Sequence, residues 1–192
     1  MRNLIRRPWI LIAATLIALS GCASLGMGSS KRPLRPVPRV DLQRYMGGWF
    51  VIANIPYFGE KDCHDSIEGY ALRPDGRIDN KFACRDKSFD APMQTKVNTI
   101  ATVYNKRSNA EWRVPFLRVV RVKYLVIDLD PEYRWAVIGH PSRRYGWIIS
   151  RTRTLPEQTY NGIMQRLRAQ GYDTAKFAKV PQRAGEPRYP DT

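Results

Sequence analysis

Eight short segments rich in β-branched and aromatic residues follow one another through the middle of the chain, and this succession constrains the fold more than any other feature. They cover residues 48–55, 66–72, 77–84, 97–104, 111–118, 122–129, 134–139 and 145–151. The links include Arg73-Pro74-Asp75-Gly76, Asn105-Lys106-Arg107-Ser108-Asn109, Asp130-Pro131-Glu132-Tyr133 and a turn over 140–144. Pro, Gly, Asn and Asp supply the backbone angles that tight reversals need. Consecutive strands with such links predict an antiparallel meander. Eight of them can close on themselves and so remove the exposed sheet edges. The expected fold is therefore all-β, an eight-stranded antiparallel up-and-down barrel.

After residue 151 the period changes. Thr154-Leu155-Pro156-Glu157 has the Thr-x-x-Glu form of a capping box, and apolar residues follow at Tyr160, Ile163, Met164 and Leu167. Gly171 ends this pattern. It predicts an amphipathic helix of about 15 residues lying against the outside of the sheet. A short strand is expected over 176–180. At the other end of the meander, Gly47-Gly48-Trp49 places two glycines before a large ring at the head of the first segment. Glycine weakens regular structure, so the pair predicts a sharp bend that turns Trp49 inward.

The N-terminus has a different character. Arg2, Arg6 and Arg7 precede an apolar run over 9–19 that is too short to span a bilayer comfortably, and Leu19-Ser20-Gly21-Cys22 follows. Basic residues, a short apolar run and small residues in that order describe a secretory signal. The last four resemble the lipobox of bacterial lipoproteins, in which the cysteine is acylated and becomes the first mature residue. By that resemblance 1–21 is a lipoprotein signal peptide and Cys22 the lipidation site, and Ala23 in place of Asp favours the outer membrane, with the domain facing the periplasm. Residues 22–39, rich in Gly, Ser and Pro, are expected to be a flexible, lipid-anchored tether reaching up to about 50 Å. A barrel domain over 40–182 and a disordered tail over 183–192 complete the division.

The formal charge is +15, and loss of Arg2, Arg6 and Arg7 leaves about +12. Export makes anionic lipid headgroups or another acidic envelope component the expected counterpart, and no nucleic-acid partner is assigned. Cys63 and Cys84 would share an oxidising compartment, where a disulfide closing about 20 residues contributes roughly 3 kcal/mol. Two free thiols, or one reactive thiol, are the alternatives.

The chain over about 40–182 resembles the lipocalins, and more closely their bacterial lipoprotein members. Gly47-Gly48-Trp49 is similar to the family's Gly-x-Trp at the start of the first strand. Tyr124-Leu125-Val126-Ile127-Asp128-Leu129-Asp130-Pro131-Glu132-Tyr133 resembles its second motif, with the Asp and Tyr separated here rather than adjacent. Ile149-Ser150-Arg151-Thr152 resembles its third. In the meander, Gly47, Trp49, Pro131 to Tyr133 and Arg151 collect at one end, a closed structural base with the arginine over the indole. The loops of the other end hold Cys63 and Cys84 together, which favours the disulfide. That end also gathers Lys61, Arg85, Lys87, Arg118, Arg121, Lys123, Arg143 and Arg144, predicting a basic mouth.

Counting alternate positions from Trp49 and Arg151 turns Val51, Ala53, Tyr145, Trp147 and Ile149 inward. Trp112, Val114 and Phe116 are expected to face them from the fifth segment, Tyr124 and Val126 from the sixth, and Trp135 and Val137 from the seventh. An apolar, aromatic interior under a cationic rim suits a fatty acid or lysophospholipid: burial contributes about 0.8 kcal/mol per methylene, and Arg or Lys attracts the anionic head. The resemblance thus implies binding, storage or transport of an amphiphile by a monomer or weak dimer, with no cofactor, metal or catalysis. A filled barrel of structural role, or a lipid-modifying enzyme, are the rival readings. Cys63-His64-Asp65-Ser66 and His140 invite the latter, but neighbours in sequence are not a triad and a bridged cysteine cannot attack. Metal-ligand spacings and a Gly-rich phosphate loop are both missing from the sequence.

Overall fold

The computed structural model describes residues 32–116 and 120–185. Helix α1 (Leu42–Tyr45) leads into strand β1 (Gly47–Asn54), followed by β2 (Cys63–Leu72), β3 (Ile78–Asp86), β4 (Met93–Val103), β5 (Glu111–Phe116), β6 (Val120–Leu129), β7 (Trp135–Gly139) and β8 (Gly146–Ser150). Helix α2 (Glu157–Ala169), a 3₁₀ turn over Thr174–Lys176 and strand β9 (Ala178–Lys179) complete the chain. Each of β2 to β7 pairs antiparallel with its successor, and β1 pairs with both β8 and β2, so eight strands close into a barrel.

The closing seam is uneven. Strand β1 pairs with β2 only from Gly47 to Phe50; beyond that the two splay, and β9 lies along Ala53 and Asn54 instead. The backbone groups that the splay would orphan are taken up by the C-terminal segment. Val180 N donates to Ile52 O at 3.0 Å, Asp65 N to Pro181 O at 2.9 Å, and Gln182 Nε2 to Val51 O and Ser66 O. Arg183 N donates to Asp65 Oδ1 at 2.8 Å. Residues 181–183 are thus part of the barrel wall, and the expected disordered tail does not begin at Arg183.

Two apolar layers separate the faces of the sheet. The inner one includes Trp49, Val51, Trp112, Val126, Ile138 and Ile149; the outer one packs Ile52, Leu125, Ile127, Val137 and Ile148 under Ile163 and Leu167 of α2. The last two lie four residues apart and so share a face of the helix. The capping box is not formed: the residue preceding α2 is Pro156, without a side-chain cap, and Thr154 instead uses its carbonyl to accept from Thr152 Oγ1. Gly171 ends the helix at φ 83°, with Tyr172 N reaching back to Leu167 O.

The expected tether is also corrected. Residues 32–40 run along the outside of the barrel from the β4–β5 turn, where Val40 N donates to Ser108 O, past Val37 N to Val126 O, to Arg35 N on Gln170 Oε1. Leu34 is buried against the outer layer. A hydrogen-bonded backbone with a buried leucine is a strap, not a flexible linker. The proposed tether can therefore extend only over residues 22–31.

Candidate ligand pocket

The lower part of the barrel is filled. Gly47, at φ 93°, makes the bend that α1 needs before β1, and Trp49 turns inward, its Nε1 donating to Tyr45 O at 2.9 Å. The Arg151 guanidinium lies 3.6 Å from the indole centroid and donates to the carbonyls of Arg44, Tyr45, Met46 and Gly48. Tyr133, in the β6–β7 turn, accepts from Asp41 N at 2.8 Å and stacks under Arg44. Above this base Trp112 stacks flat on Tyr124 at 4.7 Å and meets Tyr45 edge-on. Val51, Val126 and Ile149 are fully buried at the same level.

The upper part holds a cavity of about 240 Å³ that opens between the β1–β2, β5–β6 and β7–β8 connections. Val114, Phe116, Tyr124 and Trp147 line it, as does Tyr145 at its lip; these are among the residues that alternation turns inward. Three others point the opposite way. Cross-strand partners share a face, and Ile149 pairs with Ala136 while Trp147 pairs with Ile138, so Ala136 and Ile138 face inward on β7. Trp135 and Val137 therefore lie in the outer layer under α2. Ala53 joins them because a bulge between Val51 and Ala53 shifts the register against β8 and reverses the alternation.

The basic rim is reduced but present. Arg121, Lys123 and Arg144 are exposed at this end, and Lys61, Lys87 and Lys96 border a hollow that shares Tyr57, Phe58 and Phe116 with the cavity. Burial lowers the pKa of His140, and the charges of Arg144 and Lys123 lower it further. Arg143 is no rim residue. It is 7% exposed, with its Nε on Gln170 O at 2.7 Å, Nη1 on Pro141 O and Nη2 on Arg32 O, and it clamps the strap to the C-terminus of α2. Arg118 and Cys22 lie outside the described residues.

Cys63 and Cys84 are bridged, their Cα atoms 5.5 Å apart. His64 stacks edge-on against Phe89, whereas His140 faces the cavity, so the motif residues Cys63, His64 and Asp65 do not converge on it. Asp65 instead binds Arg85, Arg153 and Arg183. Burial pushes its carboxyl up, but the Arg183 N–H and the guanidiniums of Arg153 and Arg183 outweigh that and hold it below the usual value. Among the described residues, no group of three His, Cys, Asp or Glu side chains is placed to hold a metal ion, and no helix is long and apolar enough to cross a membrane.

Hydrophobic alternation does not find the polar wall residues. Glu60, Glu68, Tyr70 and Asn80 line the cavity beside Phe82. Glu60 Oε2 accepts from Asn54 Nδ2 at 2.6 Å and Trp147 Nε1 at 2.9 Å, yet burial still raises its pKa to about 7. Glu68 pairs with Trp49 across the β1–β2 ladder, so it faces inward from mid-strand. Burial, then the nearby Glu60, carries its pKa well above the ordinary carboxylate range.

An eight-stranded antiparallel barrel closed at one end, hollow at the other and flanked by a single helix defines a class of small-ligand binders. Residues 40–182 match the family model described as a lipocalin-like domain, and the chain belongs to the lipocalin family. Within it, the chain is 33% identical over 165 residues to temperature-induced lipocalin-1 of Arabidopsis thaliana, covering 80% of this chain and 86% of that one. It is 29% identical over 177 residues to the outer membrane lipoprotein Blc of Escherichia coli K12, covering 91% and 96%. Among solved structures, insecticyanin from the tobacco hornworm Manduca sexta shares the fold, with a TM-score of 0.62 over 79% of this chain and 85% of that one at 18% identity. Lipocalins typically bind and transport small hydrophobic molecules.

Proposed function

We propose that this lipocalin binds a fatty acid or lysophospholipid, with its acyl chain in the upper barrel and its anionic head among Arg121, Lys123 and Arg144. Acylation at Cys22 holds it to the outer membrane, facing the periplasm, and the ligand leaves chemically unchanged. The observation that carries this reading is the cavity itself, open at the cationic end and walled mainly by Phe82, Val97, Val114, Phe116, Val122 and Ile138. Phe58, 86% exposed at the lip, extends the apolar path outward. The likeness to outer membrane lipoproteins over nearly the whole of both chains, together with Leu19-Ser20-Gly21-Cys22, supports the location.

Trp147 lines the cavity and reports on occupancy. Titrating palmitate or a lysophospholipid is expected to give a saturable fluorescence change that Trp147→Phe removes. Absence of saturable binding by either class refutes the proposal. Replacing Arg121, Lys123 and Arg144 together by Ala is expected to weaken palmitate more than its neutral methyl ester, and equal weakening refutes the role of the rim. Arg143 is left intact in this test because it holds the strap.

A further inference from the structure

A plain acyl chain does not match one part of the wall. Tyr124 donates its hydroxyl to Tyr70 at 3.0 Å, so it accepts from Tyr45 in their 2.8 Å bond, and Tyr70 in turn hydrogen-bonds the Glu68 carboxyl. These three hydroxyls are thus spent on one another and on Glu68. Across the β2–β3 ladder Asn80 pairs with Tyr70. Asn80 is 6% exposed and lines the cavity, and its Oδ1 has no hydrogen-bond partner. A buried amide left unpaired costs about 1–3 kcal/mol, and an alkyl chain laid against it cannot remove that cost.

We propose that the ligand carries a hydroxyl group part-way along its apolar body, which hydrogen-bonds the Asn80 amide and the Glu68 carboxyl. This rests on the reading that the barrel binds an acyl amphiphile, and it narrows the class to hydroxylated ones. The chemistry favours hydroxyl over amine. Burial and the nearby Glu60 raise the pKa of Glu68 well above the ordinary range and so favour its protonated form, which can both give and receive a hydrogen bond, as a hydroxyl can. An ammonium would need an ionised partner and would have to pass the cationic rim. The depth places the hydroxyl along the ligand. Asn80 lies six residues from Asp86 at the mouth end of β3, or about 15 Å along the axis of a barrel with tilted strands. An amphiphile with its head at the rim therefore presents its mid-chain to Asn80.

The test compares stearate with stearates hydroxylated near the carboxylate, at mid-chain and near the methyl end, and with stearylamine, by fluorescence titration on the intact protein. The mid-chain hydroxystearate is expected to bind about tenfold more tightly than stearate, as one new buried hydrogen bond implies. Asn80→Leu is expected to bring the ratio of hydroxystearate to stearate affinity down to about one, whatever it does to either alone, and Glu68→Gln, which keeps both hydrogen-bonding functions, is expected to retain the preference. If stearate binds as well as every hydroxylated analogue, or the amine binds best, the inference is overturned while lipid binding stands. If nothing binds, both readings fail. The comparison within the unaltered protein decides the matter even if a variant does not fold.

Discussion

Arg151→Met should separate stability from binding. Methionine keeps most of the apolar stem that covers Trp49 but has no hydrogen to donate. In the folded protein the guanidinium serves four carbonyls, of Gly48 at 2.7 Å, Arg44 at 2.8 Å, Met46 at 2.8 Å and Tyr45 at 3.2 Å. Those of Gly48 and Arg44 face solvent and rehydrate at little cost. The carbonyls of Tyr45 and Met46 lie deeper at the end of α1, where no further turn of helix pairs with them, and each loses about 1 kcal/mol. The contact with the indole, 3.6 Å from its centroid, contributes about another 1 kcal/mol. The expected loss is about 3 kcal/mol, or about 6–12 °C in Tm for a chain of this size. Urea denaturation followed by circular dichroism measures it. Ligand affinity should hold within about twofold, because the cavity and this base are at opposite ends of the barrel. A loss under about 1 kcal/mol, or an affinity that falls while stability holds, would show that Arg151 is not the tie that closes the base.

Replacing Cys63 and Cys84 together by Ser is expected to lower unfolding free energy by about 3 kcal/mol, as will reductant added to the unaltered protein; coincident urea midpoints with and without reductant would contradict this. Asp65 has a lowered folded pKa, so its contribution is complete above the ordinary value of 3.8 and disappears as pH falls through the lowered one. The stability gap between the protein and Asp65→Asn should thus be constant at neutral pH and close in acid, as urea midpoints across pH will report. Glu60 behaves oppositely. Its folded pKa, raised from 4.5 to about 7, gives stability that is complete below 4.5 and is lost as pH rises through about 7. Between about pH 4.5 and about pH 7 the protein should lose about 3 kcal/mol that Glu60→Gln does not lose, and parallel pH curves for the two would refute the burial argument.

The barrel and its base were legible because both follow from local rules. Segment order, turn residues and a period of two place Trp49, Val51, Trp112, Tyr124, Trp147 and Ile149 inside, and a single charged residue closes the end. Alternation failed where it was counted across a change of register. The bulge after Val51 turns Ala53 outward, and the pairing of Ile149 with Ala136 decides β7 against Trp135, whose ring is as well accommodated beneath α2 as in the barrel. The polar wall was invisible for a different reason. A glutamate at mid-strand reads as a solvent-facing residue, and only the closure of the barrel puts Glu68 and Asn80 inside. Arg143 was misplaced because its role is set by tertiary structure: a left-handed backbone at φ 56° aims the side chain at the carbonyls of Gln170 and Arg32.

That clamp also fixes the direction in which the molecule can be held. The strap starts at the closed base beside Ser108 and reaches Arg32 next to the β7–β8 turn, whose His140 and Tyr145 border the entrance. Arg32, the first of the described residues, and the point of entry therefore share one pole of the barrel. An affinity tag joined directly at Arg32 is expected to compete for space with incoming ligand, whereas one placed in the β4–β5 turn is not.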